Sequence, residues 1–161
     1  MNVSLYLCTR CPYCARFVPQ LYKAIVEGLL EGVAKAYVRE FPIRGHEGAT
    51  EGGLGLVAAA RLGKGWQFLL RLYQNFDSFQ VDTLPKYAVE VGLQEDEFRN
   101  LLGDASLRNE LTASKKEGVR NGVEATPAIF INGRMYAGDV SIETVADVIN
   151  EEAERMKAAG N

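Results

Sequence analysis

Cys11, Pro12, Tyr13 and Cys14 place two thiols three positions apart. That spacing puts both sulfurs on the first turn of a helix that starts at Pro12. Two sulfurs so placed close a small ring when oxidised and separate again when reduced. Cys11, at the helix mouth, faces the positive end of the helix dipole and amides with no intrahelical partner, so its thiolate is favoured over that of a free cysteine. Cys14 lies one turn deeper. The chemistry this asymmetry predicts is sulfur exchange, in which Cys11 forms a mixed disulfide with a partner and Cys14 then displaces that partner.

A Cys-x-x-Cys pair serves zinc as readily as electron transfer, and Cys8, Cys11 and Cys14 together read as part of an iron–sulfur run. All three cysteines of the chain are then used, no second pair follows, and the single histidine, His46, is remote in sequence. A closed metal site needs more ligands than these. The pattern therefore favours a redox pair with no metal and no organic cofactor, and it reads Cys8 as an inert packed thiol rather than a redox regulator. A non-catalytic module in which these thiols hold a metal or a partner protein is the alternative outside enzymology.

The remaining composition excludes several classes. At 161 residues, 47% hydrophobic and with a formal net charge of -3, the chain has one domain's worth of core and no basic stripe for nucleic acid. No run approaches the roughly 18 apolar residues of a membrane helix, so no membrane insertion is expected. Residues 1–7 lack the basic start and long apolar stretch of a secretory signal. The expected setting is cytoplasmic if Met1 is the native start, and periplasmic or secreted only if a signal peptide has been removed.

Hydrophobic spacing indicates the elements that must position the thiols. Residues 3–7 read as a buried strand feeding the cysteine motif. Phe17, Val18, Leu21, Ile25 and Leu29 recur at helical spacing, which predicts a helix to about Glu31 with Gly32 as its stop and a kink at Pro19. Residues 34–41 return to a strand ended by Pro42, completing a βαβ unit with parallel strands.

Residues 49–121 read as a helical insertion, with helices over 55–62, 65–76, 85–91, 96–102 and 105–121. Its Leu54, Leu56, Val57, Trp66, Phe68, Leu69, Leu72, Tyr73 and Phe76 form a small core over the active-site end, and the aromatics read as helix packing rather than a ligand pocket. Gly53, Gly55 and Ala58 match G-x-G-x-x-A but lack the strand and βαβ context of a dinucleotide site. His46 reads as a solvated or capping residue rather than a base.

Residues 128–131 form a strand, Asn132-Gly133 is a hairpin signal, and residues 134–136 return antiparallel. A final helix carries Ile142, Val145, Ala146, Ile149, Ala153 and Met156 on one face, with Ser141 as its N-cap. Thr126-Pro127 immediately precedes the strand; its proline removes a donor at the sheet and is a candidate for the cis form.

In this order, with CPYC at the first helix and VEATPAIFING before the hairpin, the chain resembles the DsbA-like branch of the thioredoxin-fold superfamily over nearly its whole length. The resemblance implies an α/β thioredoxin fold (βαβ then ββα) with a helical insertion: residues 1–48 and 122–161 as the thioredoxin-fold domain, 49–121 as the insertion. It implies a protein disulfide oxidoreductase with Cys11 as nucleophile, Cys14 as resolving thiol, Pro12 and Tyr13 tuning the potential, and Thr126 with cis Pro127 clamping substrate backbone. Partners would be thiol or disulfide proteins, with glutathione or another redox partner as a further possibility. A kappa-type glutathione transferase or isomerase is the second enzymatic reading, although those relatives place serine where Cys11 stands. Relatives also carry an acidic residue on the active-site strand; residues 3–7 have none. Glu40, on the second strand, is the candidate substitute, although it reads more simply as a surface charge, and Ala125 stands where relatives often have glycine.

Overall fold

The computed structural model describes residues 1–160. Strand β1 (Asn2–Leu7) turns its odd-numbered side chains to one face, so that Val3, Leu5 and Leu7 are buried together while Tyr6 points to the other. That period-two alternation explains why β1 occupies the middle of the sheet: it has an apolar surface on each side. Helix α1 (Pro12–Glu27) follows directly, then β2 (Lys35–Glu40). Strands β1 and β2 pair in parallel, from Asn2 opposite Lys35 to Leu7 opposite Glu40.

The insertion contains α2 (Ala49–Arg61), α3 (Gly65–Gln74), α4 (Leu84–Glu90), α5 (Glu95–Leu102) and α6 (Ala105–Arg120). Two short 3-10 turns, Phe76–Ser78 and Val81–Thr83, join α3 to α4. The chain then re-enters the sheet with β3 (Ala128–Ile131), antiparallel to β1, and β4 (Arg134–Met135), antiparallel to β3. Asn132 and Gly133 both adopt positive φ, at 48° and 83°, as a two-residue hairpin of this hand requires. Helix α7 (Ile142–Ala159) closes the fold, and the Ser141 side chain accepts a hydrogen bond from the Thr144 amide at 3.2 Å as its N-cap. The sheet order is β2-β1-β3-β4, the βαβ-then-ββα thioredoxin arrangement with a helical insertion.

Three expectations need correction. Helix α1 stops at Glu27, not Glu31, because the Leu30 amide turns back to the Ala24 carbonyl at 2.9 Å. Leu30 is thereby buried and Leu29 is left 72% exposed; Gly32, at φ 73°, serves the following turn. Helix α2 begins at Ala49 rather than Gly55, so the G-x-G-x-x-A residues lie inside a helix. Their absent side chains permit close packing: a Cβ on Gly53 would come within 2.9 Å of Leu111, and one on Gly55 within 3.2 Å of the Phe68 ring.

The insertion, finally, has no separate core. Leu54, Leu56, Val57, Phe68, Leu69, Leu72 and Tyr73 belong to the same buried cluster as β1, α1 and the three cysteines, with Trp66 and Phe76 packed at its edge. Each such large side chain contributes about 1.5–3 kcal/mol on burial. A second, smaller cluster of Tyr6, Phe41 and Val123 covers the opposite face of the sheet.

Candidate active site

Helix α1 starts where β1 ends because Cys11 holds an extended backbone (φ -87°, ψ 122°) as N-cap and Pro12 takes the first helical position. The Cys11 amide bonds back to the Cys8 carbonyl at 3.2 Å, closing the turn that joins strand to helix. Pro12 and Tyr13 are exposed, Tyr13 by 64%, and the Arg16 guanidinium lies 4.9 Å from the Tyr13 ring centre. Cys11 is 3% exposed and Cys14 is fully buried.

Those positions separate the two thiols chemically. The Cys11 thiol is lowered to about 5: the Cys14 thiol donates to its sulfur, the amides of Cys14 and Tyr13 and the nearby Thr126 hydroxyl also favour the thiolate, and burial opposes them. The Cys14 thiol is pushed far up, chiefly by burial and then by its bond to Cys11 and the charge there. One sulfur is thus a stable thiolate at neutral pH and the other a thiol.

The loop before β3 completes the rim. The Thr126–Pro127 peptide bond is cis, and the Thr126 carbonyl oxygen lies 3.5 Å from the Cys11 sulfur, accepting from its thiol form. The Thr126 hydroxyl is buried with no partner of ordinary geometry and is turned towards both sulfurs. A groove of about 620 Å³ runs beside these groups, lined by Tyr13, Arg16, Gln20, Thr126, Pro127 and Val140 among others. The residues singled out in the sequence, Cys11, Pro12, Tyr13, Cys14, Thr126 and Pro127, therefore meet in one place although the last two lie more than a hundred positions away.

Other residues around the thiols carry no such local signal. Tyr73, from α3, is 6% exposed and its hydroxyl donates to the Cys8 carbonyl at 3.1 Å. Arg10 stacks its guanidinium between Phe76 and Phe79, at 4.2 and 4.3 Å from the ring centres, and donates to the Phe76 carbonyl at 2.9 Å. This clamp fixes the backbone immediately before Cys11.

His46 is half-buried, its carbonyl accepts from the Ala49 amide at the start of α2 at 3.1 Å, and its Nδ1 lies 3.5 Å from the Cys8 sulfur, a contact the sequence did not suggest. Burial pushes the Cys8 thiol up. Glu40 is not a surface charge: α2 and α6 close over it, one carboxylate oxygen has no partner, and burial raises its carboxyl well above the usual range. The period-two alternation of β2, with Glu40 on the face of Ala36 and Val38, was the sequence signal for its burial; the pairing of Cys8 with His46 joins distant elements and has no such signal.

Comparison with known proteins bears on the family and the fold. The sequence matches the family described as Thioredoxin over residues 1–151. It is 28% identical over 151 residues to the Na(+)/H(+) antiporter NhaA 3 of Salinispora tropica, a match covering 92% of this chain and 22% of that protein. The chain thus spans about a fifth of the length of the curated relatives it matches. Among the described residues no helix is long and apolar enough to cross a membrane.

Among solved structures, the oxidoreductase DsbA from Xylella fastidiosa superposes with a TM-score of 0.79 at 17% identity, covering 98% of this chain and 86% of that one. A putative protein disulfide isomerase from Nitrosomonas europaea gives 0.79 at 14% identity, covering 96% and 98%. The sequence match and the sheet order lead to one conclusion: this chain belongs to the thioredoxin family, built in the DsbA-like form of its fold.

Proposed function

We propose that the chain catalyses thiol–disulfide exchange with protein substrates. The observation that carries this reading is the opposite displacement of two neighbouring thiols, Cys11 down to about 5 and Cys14 up. The Cys11 thiolate attacks one sulfur of a substrate disulfide, forms a mixed disulfide and releases the first substrate thiolate. Cys14 then loses its proton, attacks the Cys11 sulfur and releases the second; the substrate is reduced by two electrons and the enzyme pair is oxidised. The reverse sequence delivers a disulfide to a dithiol. Thr126 and Pro127 hold substrate backbone beside Cys11, the neighbouring groove takes flanking side chains, and Pro12 and Tyr13 tune the couple. The names of the structural relatives, a DsbA and a protein disulfide isomerase, support protein rather than small-molecule substrates.

A Cys11 thiolate this stable favours the reduced pair over the disulfide. Its value falls between the thioredoxin nucleophile at about 7 and that of DsbA at about 3.5, so the potential is expected above about -270 mV, on the oxidising side of thioredoxin. Cys11→Ser should reduce exchange with a disulfide peptide to the uncatalysed rate. The wild-type attack rate should rise as pH passes about 5 and level off above it, as the nucleophile ionises. A serine variant that kept its rate would sink the reading.

A further inference from the structure

The buried sulfur of Cys14 has no carboxylate beneath it. The face of β1 under α1 is Val3, Leu5 and Leu7, each at most 1% exposed, and Glu40 is turned away between Gly53 of α2 and α6. The groups that do face Cys14 are the Cys11 sulfur on its own helix, the Cys8 backbone below, the Thr126 side chain from the loop before β3, and the Tyr73 side chain from α3. Of these, Thr126 is shared with Cys11 at the rim. Tyr73 approaches from the interior, 6% exposed, with its hydroxyl on the Cys8 carbonyl at 3.1 Å, and it lies beside the Cys14 side chain without a hydrogen bond of ordinary geometry to it in the reduced site.

We infer that the Tyr73 hydroxyl donates a hydrogen bond to the Cys14 sulfur while the mixed disulfide is resolved, an inference that rests on the exchange reading above. In the reduced site the phenolic hydrogen points at the Cys8 carbonyl. Rotation about the C–O bond swings it to the Cys14 sulfur as that sulfur becomes anionic. The Cys14 sulfur attacks Cys11, the Cys11–Cys14 bond forms as the Cys11–substrate bond breaks, and the Cys14 proton is balanced by protonation of the departing substrate sulfur. Tyr73 remains protonated throughout; burial raises its hydroxyl well above the ordinary tyrosine value, which makes it a donor and not a base. The Cys8 carbonyl keeps the Cys11 amide at 3.2 Å when the hydroxyl turns away, so the motion strands no backbone group.

Tyr73→Phe removes the hydroxyl and keeps the ring. In single-turnover exchange with a disulfide peptide, the variant should accumulate the acid-quenched mixed disulfide and resolve it about tenfold more slowly, since a hydrogen bond to a charged sulfur is lost. The pH at which resolution is half-maximal should rise by about one unit. Thiolate absorbance of Cys11 should still titrate near 5, which reports an intact site. Resolution at the wild-type rate and pH profile would overturn the inference while leaving the exchange reading in place. A Cys11 titration displaced together with the resolving step would overturn it too, because Tyr73 would then be acting on the fold of the whole site. Wild-type protein without exchange would instead remove the reading and the inference together.

Discussion

The rim and the floor of the site are built from different parts of the chain. The rim consists of the α1 N-terminus and the Thr126–Pro127 loop, and it sets the Cys11 thiolate with amides, a hydroxyl and a neighbouring thiol. The floor comes from the insertion: Tyr73 beneath Cys8, and Phe76 and Phe79 around Arg10. The rim opens to a groove, whereas Tyr73 closes the floor under Cys8 and the Arg10 clamp stands half-buried at its edge. The same few ångströms thus create a strong nucleophile on one side and a protected thiol on the other. The insertion contributes more than bulk, since its Tyr73 joins the β1 side chains in the cluster that buries Cys14 and keeps it neutral.

Breaking the floor is expected to have the largest effect. Phe68 is fully buried on the helix that carries Tyr73 and packs against Phe98 at 5.4 Å between ring centres. Phe68→Ala should cost about 3–5 kcal/mol in denaturant unfolding. If rim and floor are separable, the folded variant still shows Cys11 ionising near 5; a Cys11 titration that moves with the loss of stability would show that they are not.

Glu40 sharpens the contrast through pH. Its carboxyl is raised in the folded protein by burial, with Glu110 adding to the effect, so the folded state holds the proton more tightly than the unfolded chain. Stability from this group is complete below the unfolded value of about 4.3 and declines as pH rises through the folded value. Glu40→Gln should remove that decline and leave a more stable protein at neutral pH, measured as the thermal midpoint across a pH series. The smallest effect belongs to the rim side. Ser141→Ala removes the α7 cap beside the groove and should cost about 1 kcal/mol, with little change in exchange rate.

Much of the rim was legible in the sequence because its signals are local. A proline at the first helical position, a two-residue Asn-Gly turn and a serine cap each act within a few residues, and the structure has α1 starting at Pro12, a hairpin at Asn132-Gly133 and Ser141 on the Thr144 amide. The insertion's helices were legible from their periodicity and the turns between them, save the glycine-bearing start of α2 at Ala49. Its role beneath the thiols was not: Tyr73 has the spacing of any buried aromatic, and only the packing of α3 under the cysteine turn gives its hydroxyl a purpose. Glu40 misled because its charge reads as a surface residue, whereas the alternation of β2 sets it on the inward face with Ala36 and Val38, where α2 and α6 cover the strand's end. Leu29 misled because helical spacing continues past the residue at which the chain turns back on Ala24.

The glycines of α2 tie the wall over the site to the surfaces it packs on. Gly52, Gly53 and Gly55 stand within the first seven residues of that helix, and each costs about 1 kcal/mol of helix propensity relative to alanine. Such a segment does not persist alone; it becomes helical when Thr9, Leu111 and Phe68 are there to receive its bare face. The wall over the thiols thus keeps its helical form against contacts from the cysteine turn, α3 and α6. Access to the turn before the cysteines is therefore tied to α2: each local opening of that helix uncovers Thr9.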